Sequence, residues 1–225
     1  MGLENMNKSR EIFESQSNSL ILKYPQLSKS SLDGLPIVKG MLDIVDQNGK
    51  YWQTFEIEIH CTNSYPNRFP SVYEVSNKIP KIADWHMYED TLACCIGIVP
   101  EEIIRCKNGI MLLDFYEEAV IPYFFNQTHR MVEGYYVNGE YEHGLAGILQ
   151  YYTELFMNLN SEKVLGLLIK FLKNGDLGRT SQCFCGSREK MRKCHKSQYY
   201  TLMQIGRDNV KEHVSTIIHV LTKTR

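Results

Sequence analysis

Between Tyr51 and Cys61 the chain reads YWQTFEIEIHC, and from Phe55 to Ile59 apolar and acidic residues alternate strictly. Successive side chains of a strand point to opposite faces. Phe55, Ile57 and Ile59 therefore belong to one face, and Glu56 and Glu58 to the other. Upstream, Asn48-Gly49 is a hairpin turn signal, with Ile37–Val45 as the partner strand. A third short strand, SVYEV, is entered through Pro66 and Pro70.

Helical patterns flank this meander. Residues about 6–24 carry Ile12, Phe13, Leu20 and Leu22 among polar residues and stop before Pro25. After the meander, residues 76–107 show no regular pattern, and irregular stretches of that length are usually functional. IMLLDFYEEAVIPYFFNQ then reads as a helix, broken at Pro122. GYYVNGEYEHG is rich in turn residues, and LAGILQYYTELFMN and SEKVLGLLIKFLKNG are helical. The last has Ser161 as its N-cap and Gly175 as its stop. Val210, Val214, Ile217, Ile218 and Leu221 mark a final amphipathic helix. Helices segregated from an antiparallel meander define an α+β fold.

Charge divides the chain. Arg179–Arg225 holds ten Lys/Arg and three Asp/Glu, leaving fifteen basic and twenty-three acidic residues in Met1–Gly178. The expected units are therefore 1–178 and a small basic tail, 179–225. No run approaches the ~20 apolar residues of a membrane span, and MGLENMNKSREIFES lacks the apolar core of a signal peptide. A cytoplasmic protein is expected. Its seven cysteines then point to thiols and metal rather than disulfides.

One cysteine cluster lies in the tail, CFCGSREKMRKCH. Cys183, Cys185, Cys194 and His195 are the soft ligand set that suits tetrahedral Zn²⁺. Gly186-Ser187 allows a tight turn whose amides can hydrogen-bond the thiolates. The stretch resembles the SEC-C motif, the zinc-binding tail of the bacterial secretion motor SecA. Its fixed positions, C-x-C-G-S-x-x-K-x-x-x-C-H, are all met. The resemblance implies a structural zinc knuckle for contacts with partners.

A second cluster is DWHMYEDTLACCIG. From Gly34 to Gly97 the chain resembles the ubiquitin-conjugating (UBC) family. Tyr65, Pro66, Pro70 and Val72 match its YPxxPPxVxF element, with Phe69 at a proline position. His86 stands where the family's HPN begins, followed here by Met87 and Tyr88 rather than Pro and Asn. Cys95-Ile96-Gly97 matches the family's cysteine followed by an apolar residue. The resemblance implies a UBC-like core ending near Gln127 and a cysteine-dependent acyltransferase. More narrowly, the chain resembles the stand-alone UBC-like proteins of CBASS-type antiviral operons. There the implied product is a thioester with the C-terminus of a partner, a cGAS-like nucleotidyltransferase or a ubiquitin-like protein. No nucleotide-binding Gly-rich loop is present, so the acyl donor would arrive activated.

Cys95, with Cys94 and Ile96 as apolar flanks, is the expected nucleophile, and Cys94 is expected to pack. Counting from His86 with a loop one residue shorter selects Cys94 instead. His86 is expected to hydrogen-bond and shape the loop, Asp84 and Trp85 to buttress it, His143 to cap or pack, and Cys61 and Cys106 to lie in the core or at the surface. Three other readings compete: an inert UBC-shaped adaptor, a zinc-finger adaptor for protein or RNA, and a hydrolase using Cys95, His143 and Asp114. The basic tail interleaves only Tyr199 and Tyr200, which ranks nucleic acid low. A homo-oligomer is compatible with the sequence.

Overall fold

A computed structural model describes residues 2–137, 142 and 144–223. It is mixed α+β. The chain forms two compact units, Met1–Gly97 with Arg105–Glu140, and Ile98–Ile104 with Tyr141–Arg225.

The first unit opens with helix α1 (Gly2–Lys23). Ser9, Phe13, Ser17 and Leu20 are buried, spaced three to four residues apart on one face. Leu22, expected among the apolar positions, is 86% exposed. Four antiparallel strands follow in simple order: β1 (Leu27–Leu32), β2 (Leu35–Val45), β3 (Tyr51–His60) and β4 (Ser71–Glu74). Phe55, Ile57 and Ile59 are fully buried as their alternation predicted, and face Leu42, Gly40 and Val38 of β2.

Strand β1 was not expected. Its sequence, LSKSSL, buries only Leu27, so it has no period to read. It forms because Asp33 and Gly34, both at positive φ (50° and 76°), make a two-residue turn that pairs Leu32 with Leu35. Gly40 allows the chain to cross there, since a Cβ at that position would stand 2.1 Å from the Gln26 carbonyl oxygen. The turn at Asn48-Gly49 is wider than a two-residue hairpin. The Asp46 carboxylate accepts from the Asn48 and Lys50 amides at 2.8 and 3.0 Å and holds it closed.

Two elements break the segment 76–107: a 3₁₀ turn (Ala83–Trp85) and helix α2 (Val99–Cys106). The following helix is continuous rather than broken. Helix α3 (Leu112–Phe115) runs through a π-helical turn (Tyr116–Val120) into α4 (Ile121–Glu133). Pro122 lies directly after the π-helical turn and does not end the helix. The helices pack on the inner face of the sheet, with Phe124 4.9 Å from Phe55 and Phe13 5.3 Å from Tyr65, ring to ring.

The second unit contains α5 (Leu145–Leu155), α6 (Ser161–Lys173), α7 (Lys196–Ile205) and α8 (Arg207–Lys223). Its core includes Tyr152, Phe156, Leu168, Phe171, Phe184, Tyr199 and Leu202. The compact units thus do not divide at 178/179. The cluster segment itself buries little beyond Cys183, Phe184 and Met191, too little for a core, and α5 and α6 supply the rest. Helix α6 is capped by Asn160, whose side chain accepts from the Lys163 amide at 3.0 Å, rather than by Ser161, and its C-cap is Asn174, one residue before Gly175. Helix α7 was not foreseen. In α8, Val210, Val214 and Ile217 are buried, but Ile218 is 43% exposed. Among the described residues no helix is long and apolar enough to cross a membrane.

Candidate active site and metal centre

In the first unit the adjacent cysteines lie on one arm of a short hairpin. Its other arm leaves the 3₁₀ turn through His86, which adopts a left-handed conformation (φ 49°). The Cys95 amide donates to the His86 carbonyl at 2.8 Å, Met87 and Cys94 pair as a bridge, and the Tyr88 amide donates to the Ala93 carbonyl at 2.9 Å. Side chains alternate across such a ladder. Met87 and Cys94 turn inward, at 2% and 5% exposure, while Cys95 is half-buried. The Cys94 amide also donates to the Val72 carbonyl of β4 at 2.7 Å. Burial pushes the Cys94 thiol up to about 12, despite the Tyr123 hydroxyl beside it. At neutral pH Cys94 is a protonated thiol, behaving as a small hydrophobe.

The loop is held from behind by α4. The Tyr123 hydroxyl donates to the His86 carbonyl at 2.9 Å, and Gln127 Nε2 to the Trp85 carbonyl at 3.0 Å. Arg130 bonds both the carbonyl and the carboxylate of Asp84. Its guanidinium lies 4.3 Å from the Trp85 ring and 4.8 Å from that of Tyr136. The His86 imidazole meets Tyr136 edge-on, ring centres 5.0 Å apart. Asp84, Trp85 and His86 therefore shape the loop.

The structure brings Cys94, Cys95 and His86 into one hairpin. Cys61 and Cys106 are buried in the first core. Asp114 is exposed on α3, and His143 lies outside the described residues. Sequence reasoning missed Tyr123, Gln127 and Arg130. Their spacing, four residues and then three, is a one-face pattern, but it is polar and lies inside an apolar helix.

In the second unit the four expected ligands converge. One ligand atom from each of Cys183, Cys185, Cys194 and His195 lies within 4.8 Å of the others. Cys185 Sγ is 3.6 Å from Cys194 Sγ, and His195 Nδ1 is 3.5 Å from Cys183 Sγ and 3.1 Å from Cys194 Sγ. Thiolates about 2.3 Å from a shared tetrahedral ion stand about 3.8 Å apart, so the set fits a four-coordinate metal. The 3₁₀ turn Met191–Lys193 and the Gln182–Lys190 bridge fold the two halves together. Burial raises the Cys183 thiol to about 11. Burial also raises that of Cys185, but hydrogen bonds from the Ser187 hydroxyl and amide, with those from Cys183 and Cys194, together outweigh it and leave the thiol below its ordinary value.

The chain matches no family model, no curated protein and no solved structure.

Proposed function

We propose that the first unit is a ubiquitin-conjugating-enzyme-like acyl carrier with Cys95 as its nucleophile, and that the Cys/His set of the second unit holds a structural zinc ion. What carries the catalytic reading is the division of the cysteine pair. One thiol is buried in the core and the other is half-buried on the opposite face of a hairpin bonded from behind by α4. The order of α1, an antiparallel meander, a cysteine loop and a following helix supports a UBC-like core. The Cys95 thiolate attacks the carbonyl carbon of an activated C-terminal carboxyl group, the activating group leaves with the bonding electrons, and a thioester remains. Thiolate is a minor form near neutral pH but strongly nucleophilic. His86 acts as a shaping residue. The favoured donor is the C-terminus of a cGAS-like nucleotidyltransferase in cytoplasmic antiphage defence, or of a ubiquitin-like protein. The metal set has four protein ligands and leaves no open position for water, which is the pattern of a structural site.

Co-expression with a candidate donor and its activating enzyme tests the reading. A thiol-sensitive band of higher mass is expected, lost in Cys95→Ala and kept in Cys94→Ala. Loss only in Cys94→Ala would reassign the nucleophile. A band that never forms, or survives both substitutions together, leaves an inert UBC-shaped adaptor.

A further inference from the structure

Two neighbouring cysteines in a hairpin are related by its pleat. A slip of one residue would turn Cys94 outward and Cys95 inward. The ladder between the arms is short. It consists of the His86–Cys95 bond, the Met87–Cys94 bridge, the Tyr88–Ala93 bond and the Leu92–Tyr88 bond that closes the turn. The Cys94–Val72 bond ties the second arm to β4, so the register then depends on what holds the first arm in place.

Helix α4 meets the first arm with a stripe of three donors. Tyr123, Gln127 and Arg130 lie on one helical face. They bond three consecutive carbonyls, those of His86, Trp85 and Asp84 respectively. The correspondence is one donor per residue in antiparallel sense, so a shift of the arm by one position would misalign all three. The guanidinium between Trp85 and Tyr136, paired with the Asp84 carboxylate, locks the outer end. At the inner end the His86 carbonyl is shared. It accepts from the Tyr123 hydroxyl and from the Cys95 amide. The helix thus acts on the reactive position through a single oxygen atom. The same hydroxyl lies 3.1 Å from Met87 Sδ, the inward partner of Cys94.

We infer that Tyr123, Gln127 and Arg130 are positioning residues that fix the register of the His86–Cys95 hairpin and thereby select Cys95 over Cys94 as the thiol presented to an acyl donor. This rests on the acyl-carrier reading, and it adds what decides between the two thiols. On the first arm Gln127 and Arg130 bond only the backbone and the Asp84 carboxylate, so their removal should change which cysteine reacts rather than the chemistry of either, whereas the Tyr123 hydroxyl also lies beside the Cys94 thiol.

The test is competitive labelling of the full chain with iodoacetamide at pH 8, read cysteine by cysteine by peptide mass spectrometry, with melting curves beside it. In the native protein Cys95 should label at least about tenfold faster than Cys94, since a buried thiol reacts only through local opening. The combined variant Gln127→Leu, Arg130→Ala should lower that ratio by at least about tenfold, since it loses the bond to the Trp85 carbonyl and both bonds to Asp84. Tyr123→Phe, which removes one oxygen atom, should lower it by about threefold. Arg130→Lys, which keeps the charge and a donor, should restore most of the ratio when paired with Gln127→Leu. A general weakening of the unit would lower the melting temperature without this rescue. If the combined variant fails to fold, Gln127→Leu alone, which leaves the Tyr123 hydroxyl beside Cys94, decides. A ratio unchanged in every folded variant overturns the inference. Failure of the acyl-carrier reading looks different: no covalent band forms in cells, while the labelling ratio still answers to the clamp.

Discussion

The two cysteine-bearing regions do opposite things with the same side chain. At Cys94-Cys95, neighbours in sequence are sent to opposite faces, one into the core and one outward. At Cys183–His195, residues up to twelve positions apart are drawn to a common point within 4.8 Å. Pleating separates the first pair, and folding back of a short loop gathers the second set. A cysteine's chemistry here follows from whether the backbone disperses or converges its thiols. The consequences for stability differ as well. Dispersed thiols depend on the surrounding core for their placement, whereas converged ones can contribute binding energy of their own when a metal joins them.

Metal removal should separate the regions most sharply. Structural zinc sites bind with about 10–16 kcal/mol of apparent free energy, much of which is folding energy. One zinc per chain is expected on elemental analysis, lost in Cys183→Ser with Cys194→Ser. Both tryptophans, Trp52 and Trp85, belong to the first unit. A strong chelator should therefore reduce helical circular dichroism while leaving tryptophan emission unchanged. An emission shift of the same size as the helix loss would show that the regions do not respond separately. Next in size is Ile57→Ala. Its side chain is fully buried, so truncation should cost about 2–5 kcal/mol by urea unfolding followed at the tryptophans, with zinc content unchanged. A cost within about 0.5 kcal/mol would contradict the core placement.

The smallest effect is set by Glu74, at the end of the strand on which Cys94 is anchored. Its side chain is fully buried and pairs with Lys81 at 2.7 Å. Burial alone would raise its carboxyl, but the bonds from Lys81, Ser76 and the Lys78 amide outweigh burial and hold it below the ordinary 4.5. A carboxyl depressed on folding contributes stability that is complete above about pH 4.5 and disappears as the pH falls through the folded value. Glu74→Gln should therefore cost about 1–3 kcal/mol at pH 7 and flatten the decline in urea midpoint on acidification below pH 4.5. An equally steep decline in the variant would locate that acid sensitivity elsewhere.

The Cys/His cluster was legible because the whole set lies within one loop, and local spacing carries the geometry. The strands with alternating burial were legible for the same reason, since Phe55, Ile57 and Ile59 encode their face directly. Strand β1 was hidden because its polar residues pair through backbone groups, which leave no side-chain signature. The division of the cysteine pair is not encoded in local spacing. It depends on Val72 of β4 and on α4, some twenty residues before the pair and about thirty after it. The extent of the second compact unit was not legible because charge reports the surface, whereas Tyr152, Phe171 and Tyr199 share a core that charge does not reveal.

The π-helical turn at Tyr116–Val120 has a consequence for how this chain can change. Each residue of an α-helix advances the azimuth by about 100°, and a π turn amounts to one residue spliced into that count. It works as a phase offset between the two halves of one rod. Residues before it, Leu112 and Phe115, and those after it, Tyr123, Gln127 and Arg130, can therefore answer to different surroundings without a break. Excising a single residue from the turn itself would restore the regular winding with little rotation of the distal stripe, but excising one from α4 ahead of Tyr123 would rotate the stripe by about 100°. Every side chain in the stripe would keep its identity, yet the donors would face the wrong azimuth. In this stretch, length is as much under constraint as sequence.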